Sequence, residues 1–199
     1  MKKYPELYVS LAQIVQRQTS LQQPLILDIG SGSGLLAQAI QNIIPQATII
    51  GIDPLPKMLQ LAKENTSAET LQPILGVSEK IPLNGNVVDV IVSRFSIHYW
   101  NTPQDGIAEI WRVLKPGGKV VIDSLNSEFP SWKLFLIRLH MVFKFAGSDV
   151  IRYHLKAYNH AFTIEEIEQF LVDTGFIILE KQGKKKGWKF TVVAQKPIQ

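Results

Sequence analysis

A chain of 199 residues, 46% of them hydrophobic and 19% charged, is long enough to bury the core of one domain and has an ordinary globular balance. Its formal charge of +4 admits an anionic substrate or surface without demanding one, and nucleic acid is not expected as a partner. With no cysteine, disulfides, thiolate zinc sites and cysteine nucleophiles are excluded.

The first residues, Met1-Lys2-Lys3-Tyr4-Pro5-Glu6, lack the apolar stretch of a secretion signal. No apolar run reaches the roughly 18 to 20 residues that span a bilayer, so a cytoplasmic enzyme is the expectation. Residues 4–19 read as a helix, with Leu7, Leu11, Ile14 and Val15 at helical spacing. Pro24 opens the run Leu25-Ile26-Leu27, whose lack of alternation suits a parallel strand buried on both faces. A glycine cluster ends that run, residues 35–43 return to helical spacing, and Pro45 stops the helix.

The pattern then repeats. A strand over 47–52 ends at Asp53, a helix follows over 55–65, and short strands are expected at 72–75 and 87–92. Next come a helix carrying Ile107, Ile110 and Leu114, a turn at Lys115-Pro116-Gly117-Gly118, and a strand over 119–123. Thr163-Ile164-Glu165-Glu166 forms a capping box that starts a helix to about Asp173, and Gly175 ends it. Strands at 176–180 and 188–194 flank the basic turn Lys184-Lys185-Lys186-Gly187 and pair as an antiparallel hairpin. The fold class expected is α/β: a Rossmann-like, doubly wound, seven-stranded sheet, mostly parallel, with one reversed strand in the C-terminal hairpin. A single domain over 1–199 carries an insertion at about 124–162, which such a sheet holds above the carboxyl ends of its strands, where ligands bind.

The strongest motif is Leu27-Asp28-Ile29-Gly30-Ser31-Gly32-Ser33-Gly34. A strand turning sharply into a helix while a ligand approaches the backbone leaves no room for side chains at Gly30 and Gly32. Asp28 precedes the turn, where its carboxylate can bind backbone N–H groups or a ligand ammonium. Asp53, 21 residues beyond Gly32, ends the next strand, and a carboxylate there can accept both hydroxyls of an adenosine ribose. The plainer readings are a tight turn for the loop and a helix cap for Asp53. Two cofactors remain open on these residues, because Gly32-Ser33-Gly34-Leu35-Leu36-Ala37 also has the form of a dinucleotide loop that binds NAD.

Beyond single motifs, the ordered set resembles the class I S-adenosylmethionine-dependent methyltransferases of the type 11 group. Asp28 to Gly34 matches their first motif, Asp53-Pro54 with Lys57-Met58-Leu59 their second, and Val87 to Ser93 their fourth strand. Leu114 to Lys119 resembles their turn into the fifth strand, and Thr174-Gly175-Phe176 the start of the sixth, so the resemblance covers about 24–123 and 163–197. It implies S-adenosyl-L-methionine as cofactor. It also implies that Gly30, Ser31 and Gly32 line the methionine moiety, with Asp28 anchoring the loop. Asp53 would hold the ribose, Pro54 and Met58 pack near the adenine, Ser78 offer a backbone amide to it, and Ser93 a carbonyl to the ammonium. The sequence departs at Val77, where the family often carries an aspartate that binds the adenine amino group; Glu79 or a water is the substitute.

A methyl group on a sulfonium needs only a nucleophile held in line, so a base is optional. His98, just past the fourth strand, is the candidate polar catalytic group, or else a residue opening the next helix. Phe95, Tyr99, Trp100, Tyr153, His154, Tyr158 and His160 are the candidate acceptor pocket. No metal site is expected, since no histidine pair has a carboxylate at helical ligand spacing. Residues 131–146 are nearly all apolar and read as a helix that caps the site, forms a homodimer, or makes a peripheral membrane contact. This region also resembles the ubiquinone/menaquinone C-methyltransferases, without naming a quinone. The expected function is direct methyl transfer to a small apolar or aromatic molecule. The alternatives are an NAD-dependent oxidoreductase and a non-catalytic cofactor-binding domain.

Overall fold

A computed structural model describes residues 6–136 and 158–198. Of the residues singled out above, Tyr153, His154 and the part of the apolar segment from 137 to 146 lie outside that range. In chain order the elements are α1 (Glu6–Arg17), β1 (Leu25–Ile29), α2 (Leu35–Ile43), β2 (Thr48–Asp53), α3 (Pro56–Asn65), β3 (Gln72–Leu75) and β4 (Val88–Arg94). After a 3₁₀ turn at Ile97–Tyr99 come α4 (Pro103–Val113), β5 (Leu114–Leu125), a second 3₁₀ turn at Tyr158–His160, α5 (Ile164–Thr174), β6 (Ile177–Gln182) and β7 (Lys189–Gln195).

The seven strands form one sheet in the order β3-β2-β1-β4-β5-β7-β6. Strands β1 to β5 pair in parallel, and β7 runs antiparallel to both β5 and β6. The reversed strand is thus not the outermost one. It slots between β5 and β6, which leaves β6 on the edge.

Strand residues that follow one another point to opposite faces, and both faces are covered. Leu27, Ile29, Ile91 and Ile122 pack with Ile107 and Ile110 of α4 and with Ile167 and Leu171 of α5. Ile26, Val90, Val92 and Val121 pack on the other side with Leu11 and Val15 of α1 and Leu36 and Ile40 of α2. Two buried faces explain why the strands read as unbroken apolar runs. The capping box of α5 is formed: Glu166 N–H donates to Thr163 Oγ1 at 3.1 Å, and Thr163 N–H donates to Glu166 Oε2 at 2.7 Å.

Two local expectations change. Leu114, expected on the helix with Ile107 and Ile110, instead opens β5. Residues 115–118 are not a turn between elements but an irregularity inside β5, whose register with β4 steps from Val88↔Leu114 to Val90↔Lys119. The extra residues stay in the sheet because they pair with the chain after β7: Gly117 N–H donates to Lys196 O at 2.8 Å, and Lys196 N–H to Gly118 O at 2.9 Å. For function the decisive feature is that β1 has β2 on one side and β4 on the other. The chain leaves in opposite directions there, which opens a crevice at the strands' carboxyl ends.

Candidate functional site

The loop between β1 and α2 is held from the β2 side. Gly30 and Ser31 N–H donate to Ile52 O at 2.8 and 3.0 Å, and Gly32 N–H donates to Asp53 Oδ2 at 3.0 Å. Gly30 has φ +73°, and a Cβ there would stand 2.4 Å from Ser96 Cβ, so both backbone shape and space demand glycine. Asp53 Oδ1 accepts Leu55 N–H at 2.9 Å. Asp53 is therefore a cap for the turn into α3 and an anchor of the glycine loop at once. Each of its oxygens keeps a further lone pair.

Asp28 does not do the anchoring expected of it. Its side chain is buried, and Oδ2 has no hydrogen-bond partner among the described residues. The N–H groups of Gly30 and Ser31 go to Ile52 O, that of Gly32 to Asp53 and that of Gly34 to Ser31 O, so none of these four turns to Asp28. Burial pushes the Asp28 carboxyl up to about 7 from an ordinary 3.8; nearby Asp53 adds to the rise and Arg94 opposes it.

Two cavities flank the loop. One of about 250 Å³ is lined by Asp53, Pro54, Leu55, Val77, Ser78, Glu79 and Trp100, among others. The other, of about 240 Å³, is lined by Tyr8, Asp28, Ser31, Ser33 and Arg94, among others. Gly30, Gly32, Met58, Phe95 and Tyr99 border both, so they are two lobes of one cleft.

In the first lobe Glu79 is fully engaged. Its Oε1 accepts the N–H groups of Asn101 and Thr102 at 2.6 and 3.2 Å, and its Oε2 accepts the Ser78 hydroxyl at 2.7 Å. Burial alone would raise its carboxyl, but these hydrogen bonds outweigh that and hold it below the ordinary range.

In the second lobe the Arg94 guanidinium lies 4.2 Å from the Tyr8 ring centroid and 4.7 Å from that of Phe95, and Nη1 donates to Leu7 O at 2.9 Å. Phe95 itself has φ +49°, a left-handed conformation that bulky residues seldom adopt and that is found mostly where function requires it.

Behind the loop, Ser96 is a hub. Its hydroxyl donates to Ile29 O at 3.0 Å, accepts Trp100 Nε1–H at 3.3 Å, and meets Ser93 Oγ at 2.7 Å. Since its one proton goes to Ile29, Ser93 is the donor in the last contact. Ser93 is fully buried and lines neither lobe.

His98 is also buried and lines neither lobe; its ring lies 4.3 Å from that of Tyr99. Tyr158 is half-buried and donates to Trp188 O at 3.3 Å, while His160 is exposed, and neither borders the cleft. Burial raises the Tyr158 phenol above its ordinary range. Among the described residues no three His, Asp or Glu side chains are grouped to hold a metal ion.

Residues 27–122 match the family described as a methyltransferase domain. A demethylmenaquinone methyltransferase from Chlorobaculum tepidum is 30% identical over 181 residues, which cover 88% of this chain and 72% of that protein. The chain belongs to the class I S-adenosylmethionine-dependent methyltransferases. A demethylmenaquinone methyltransferase from Deinococcus radiodurans is 33% identical over 107 residues, 53% of this chain. That match spans only 43% of the longer Deinococcus protein. A crystal structure of an S-adenosylmethionine-dependent methyltransferase from Aquifex aeolicus has TM-score 0.71 at 19% identity, covering 98% of this chain and 100% of that one, and shares the fold.

The family's cofactor is S-adenosyl-L-methionine, which displaces the NAD alternative. The cleft fits it on its own terms: a buried carboxylate oxygen without a partner, a glycine cradle that a Cβ would fill, and a carboxylate at the tip of β2. Arg94, Ser96 and Tyr8 join the site without having been singled out from the sequence. Only the position of Arg94 at the end of the fourth strand and of Ser96 just beyond it could have flagged them.

Proposed function

We propose that the protein transfers a methyl group from S-adenosylmethionine, in line, to a small apolar or aromatic acceptor. The observation that carries this reading is the buried Asp28 Oδ2, unpartnered among the described residues, at one end of a cleft whose other end has Asp53. When bound, the cofactor supplies a methyl group already activated by a cationic sulfur. Asp53 accepts the ribose hydroxyls with its spare lone pairs, and Pro54, Met58 and Val77 pack against the adenine. Ser78 offers its backbone amide to the adenine edge. Glu79, given over to Ser78, Asn101 and Thr102, keeps the Ser78 segment against the start of α4, and a water takes the place of the aspartate missing at Val77. Asp28 receives the ammonium of the amino-acid tail and Arg94 receives its carboxylate; Ser93, which borders neither lobe, takes no direct part. The Gly30–Gly32 backbone lies along the tail.

On the acceptor side Phe95 and Tyr99, which border both lobes, form apolar walls that exclude water and hold the nucleophile in line, while Trp100 lines the lobe of Asp53 and Ser78. Because the donor is activated, geometry suffices and a base is optional; His98, buried behind Tyr99, positions that ring and does not reach the acceptor. The names of the Chlorobaculum and Deinococcus relatives support an aromatic, quinone-like acceptor. Contact with a membrane through the segment that begins at 131 belongs to the same reading.

Calorimetry with S-adenosylhomocysteine, followed by transfer of radiolabelled methyl to a short-chain demethylmenaquinol, is the test. Heat of binding and labelled product are expected. No heat on adding S-adenosylhomocysteine would overturn the reading. Binding without product from any aromatic acceptor would favour a non-catalytic cofactor-binding domain.

A further inference from the structure

We propose that the β6–β7 hairpin and the start of the segment at 131–136 form one docking surface for an anionic lipid bilayer. It deepens the apolar-acceptor reading and rests on it for its purpose, though not for its test.

Trp132, Phe135 and Leu136 are 61%, 62% and 52% exposed, a cluster of large apolar side chains within five residues of the chain. Contiguous exposure of this kind marks an interaction surface. Lys184, Lys185 and Lys186 are exposed and form no ion pair with any described residue.

The two features hang on the same residue. Asn126, buried at the end of β5, donates its side-chain amide to Lys185 O at 2.9 Å and its backbone N–H to Trp188 O at 3.2 Å. From there the chain runs straight into the helical start, whose first turn is tied by Lys133 N–H and Leu134 N–H to Pro130 O at 2.9 and 3.1 Å. Tyr158 braces the junction, bonded to Trp188 O and 6.1 Å from the Phe129 ring.

This surface also adjoins the cleft. The Trp188 ring lies 5.7 Å from that of Phe95, which borders both lobes. A molecule leaving a bilayer held at this surface meets the acceptor side of the site first.

Charge selects the occupant. Residues 126–136 and 182–189 contain five lysines against one acid, Glu128. Lys189 is paired with the buried Asp123 at 2.6 Å, which leaves Lys133, Lys184, Lys185 and Lys186 without an ion pair among the described residues. A second copy docking on this face by two-fold symmetry would bring lysine runs together, which opposes association. An anionic bilayer meets both needs, with lysines at the headgroups and tryptophan and phenylalanine at the interface.

The test is co-sedimentation of the full chain with vesicles of phosphatidylcholine, with and without phosphatidylglycerol, at low and high salt. Binding should require phosphatidylglycerol and fade at high salt. Replacing Lys184, Lys185 and Lys186 together by glutamate should weaken it about a hundredfold, near fivefold per lysine. Trp132→Ser with Phe135→Ser should also weaken it and remove the blue shift of tryptophan emission. Both variants should bind S-adenosylhomocysteine like the parent, which controls for folding. No sedimentation with anionic vesicles overturns the proposal. So does binding indifferent to the lysine replacements, self-association lost in the Trp132/Phe135 variant, or capture of RNA in place of vesicles. Failure to bind S-adenosylhomocysteine while vesicles are bound would sink the methyl-transfer reading and leave this one standing.

Discussion

Asp53 accepts the Gly32 N–H at 3.0 Å and the Leu55 N–H at 2.9 Å, so one carboxylate joins the tip of β2 to the glycine loop and to the start of α3. The group assigned to the ribose also shapes the cradle for the rest of the cofactor. Asp53→Ala removes both roles, and leaving two N–H groups without acceptors costs about 1–3 kcal/mol each where they are buried. Calorimetry should find S-adenosylhomocysteine binding weakened at least about tenfold, and a thermal melt should find a lower midpoint. Asp53→Asn, which retains one acceptor oxygen, should fall between.

Asp28 predicts a pH dependence of definite sign. The unfolded chain gives up this proton near the ordinary 3.8, whereas the folded protein keeps it to about 7. Between those values the folded state binds more protons, so this group's contribution to stability falls as pH rises. Without cofactor, Asp28→Asn should therefore melt several degrees above the parent at neutral pH, with the gap closing towards pH 4. Binding should show the opposite trend. From about pH 5.5 to about 7.5 the parent's affinity for S-adenosylhomocysteine should rise, with proton release, as Asp28 ionises against the ammonium. The asparagine variant should bind weakly at every pH. A parent affinity that stays flat over this range would remove Asp28 from the ammonium site.

Arg94 and Asp53 serve opposite ends of the cleft, and two ligands separate them. Arg94→Gln should weaken S-adenosylhomocysteine by roughly ten- to a hundredfold, the worth of a charged hydrogen bond. Adenosine, which has no amino-acid tail, should bind as before. Asp53→Ala should weaken both. Equal losses for the two ligands in Arg94→Gln would show that it acts through the fold, by way of Leu7, and not on the tail.

Gly30 and Ser96 test the cradle itself. An alanine at 30 faces two separate obstacles, the left-handed φ and the overlap with Ser96 Cβ at 2.4 Å. Gly30→Ala should abolish measurable cofactor binding. Adding Ser96→Gly removes the overlap but not the backbone cost, so a thermal melt should recover in part. Full recovery would mean that space alone reserves the position.

Most of the architecture was legible in the chain because it rests on local periodicity. The unalternating run at 25–27, the Val- and Ile-rich stretch at 87–92, the helical spacing of Leu11, Ile14 and Val15, and the Thr163–Glu166 capping box all encode their elements within a few residues. The glycine loop and Asp53 were legible for the same reason: each is a constraint at a strand's own end. The division of labour among the acids was not. Asp28 looked like the loop's anchor until the parallel register of β1 and β2 brought Ile52 O and Asp53 to the loop's N–H groups first.

Family membership, element types and the end of the sheet that binds were thus determined by the amino-acid sequence alone. Tertiary structure decided the rest: that β7 inserts between β5 and β6, that Ser96 reaches Ile29 across 67 residues, and that Arg94 reaches Leu7 across 87. It also tied the Lys184–Lys186 turn to Asn126, which leads into the segment carrying Trp132. Such contacts depend on which strands become neighbours, and that is chosen by burial of both sheet faces at once, a property of the whole chain and of no single segment.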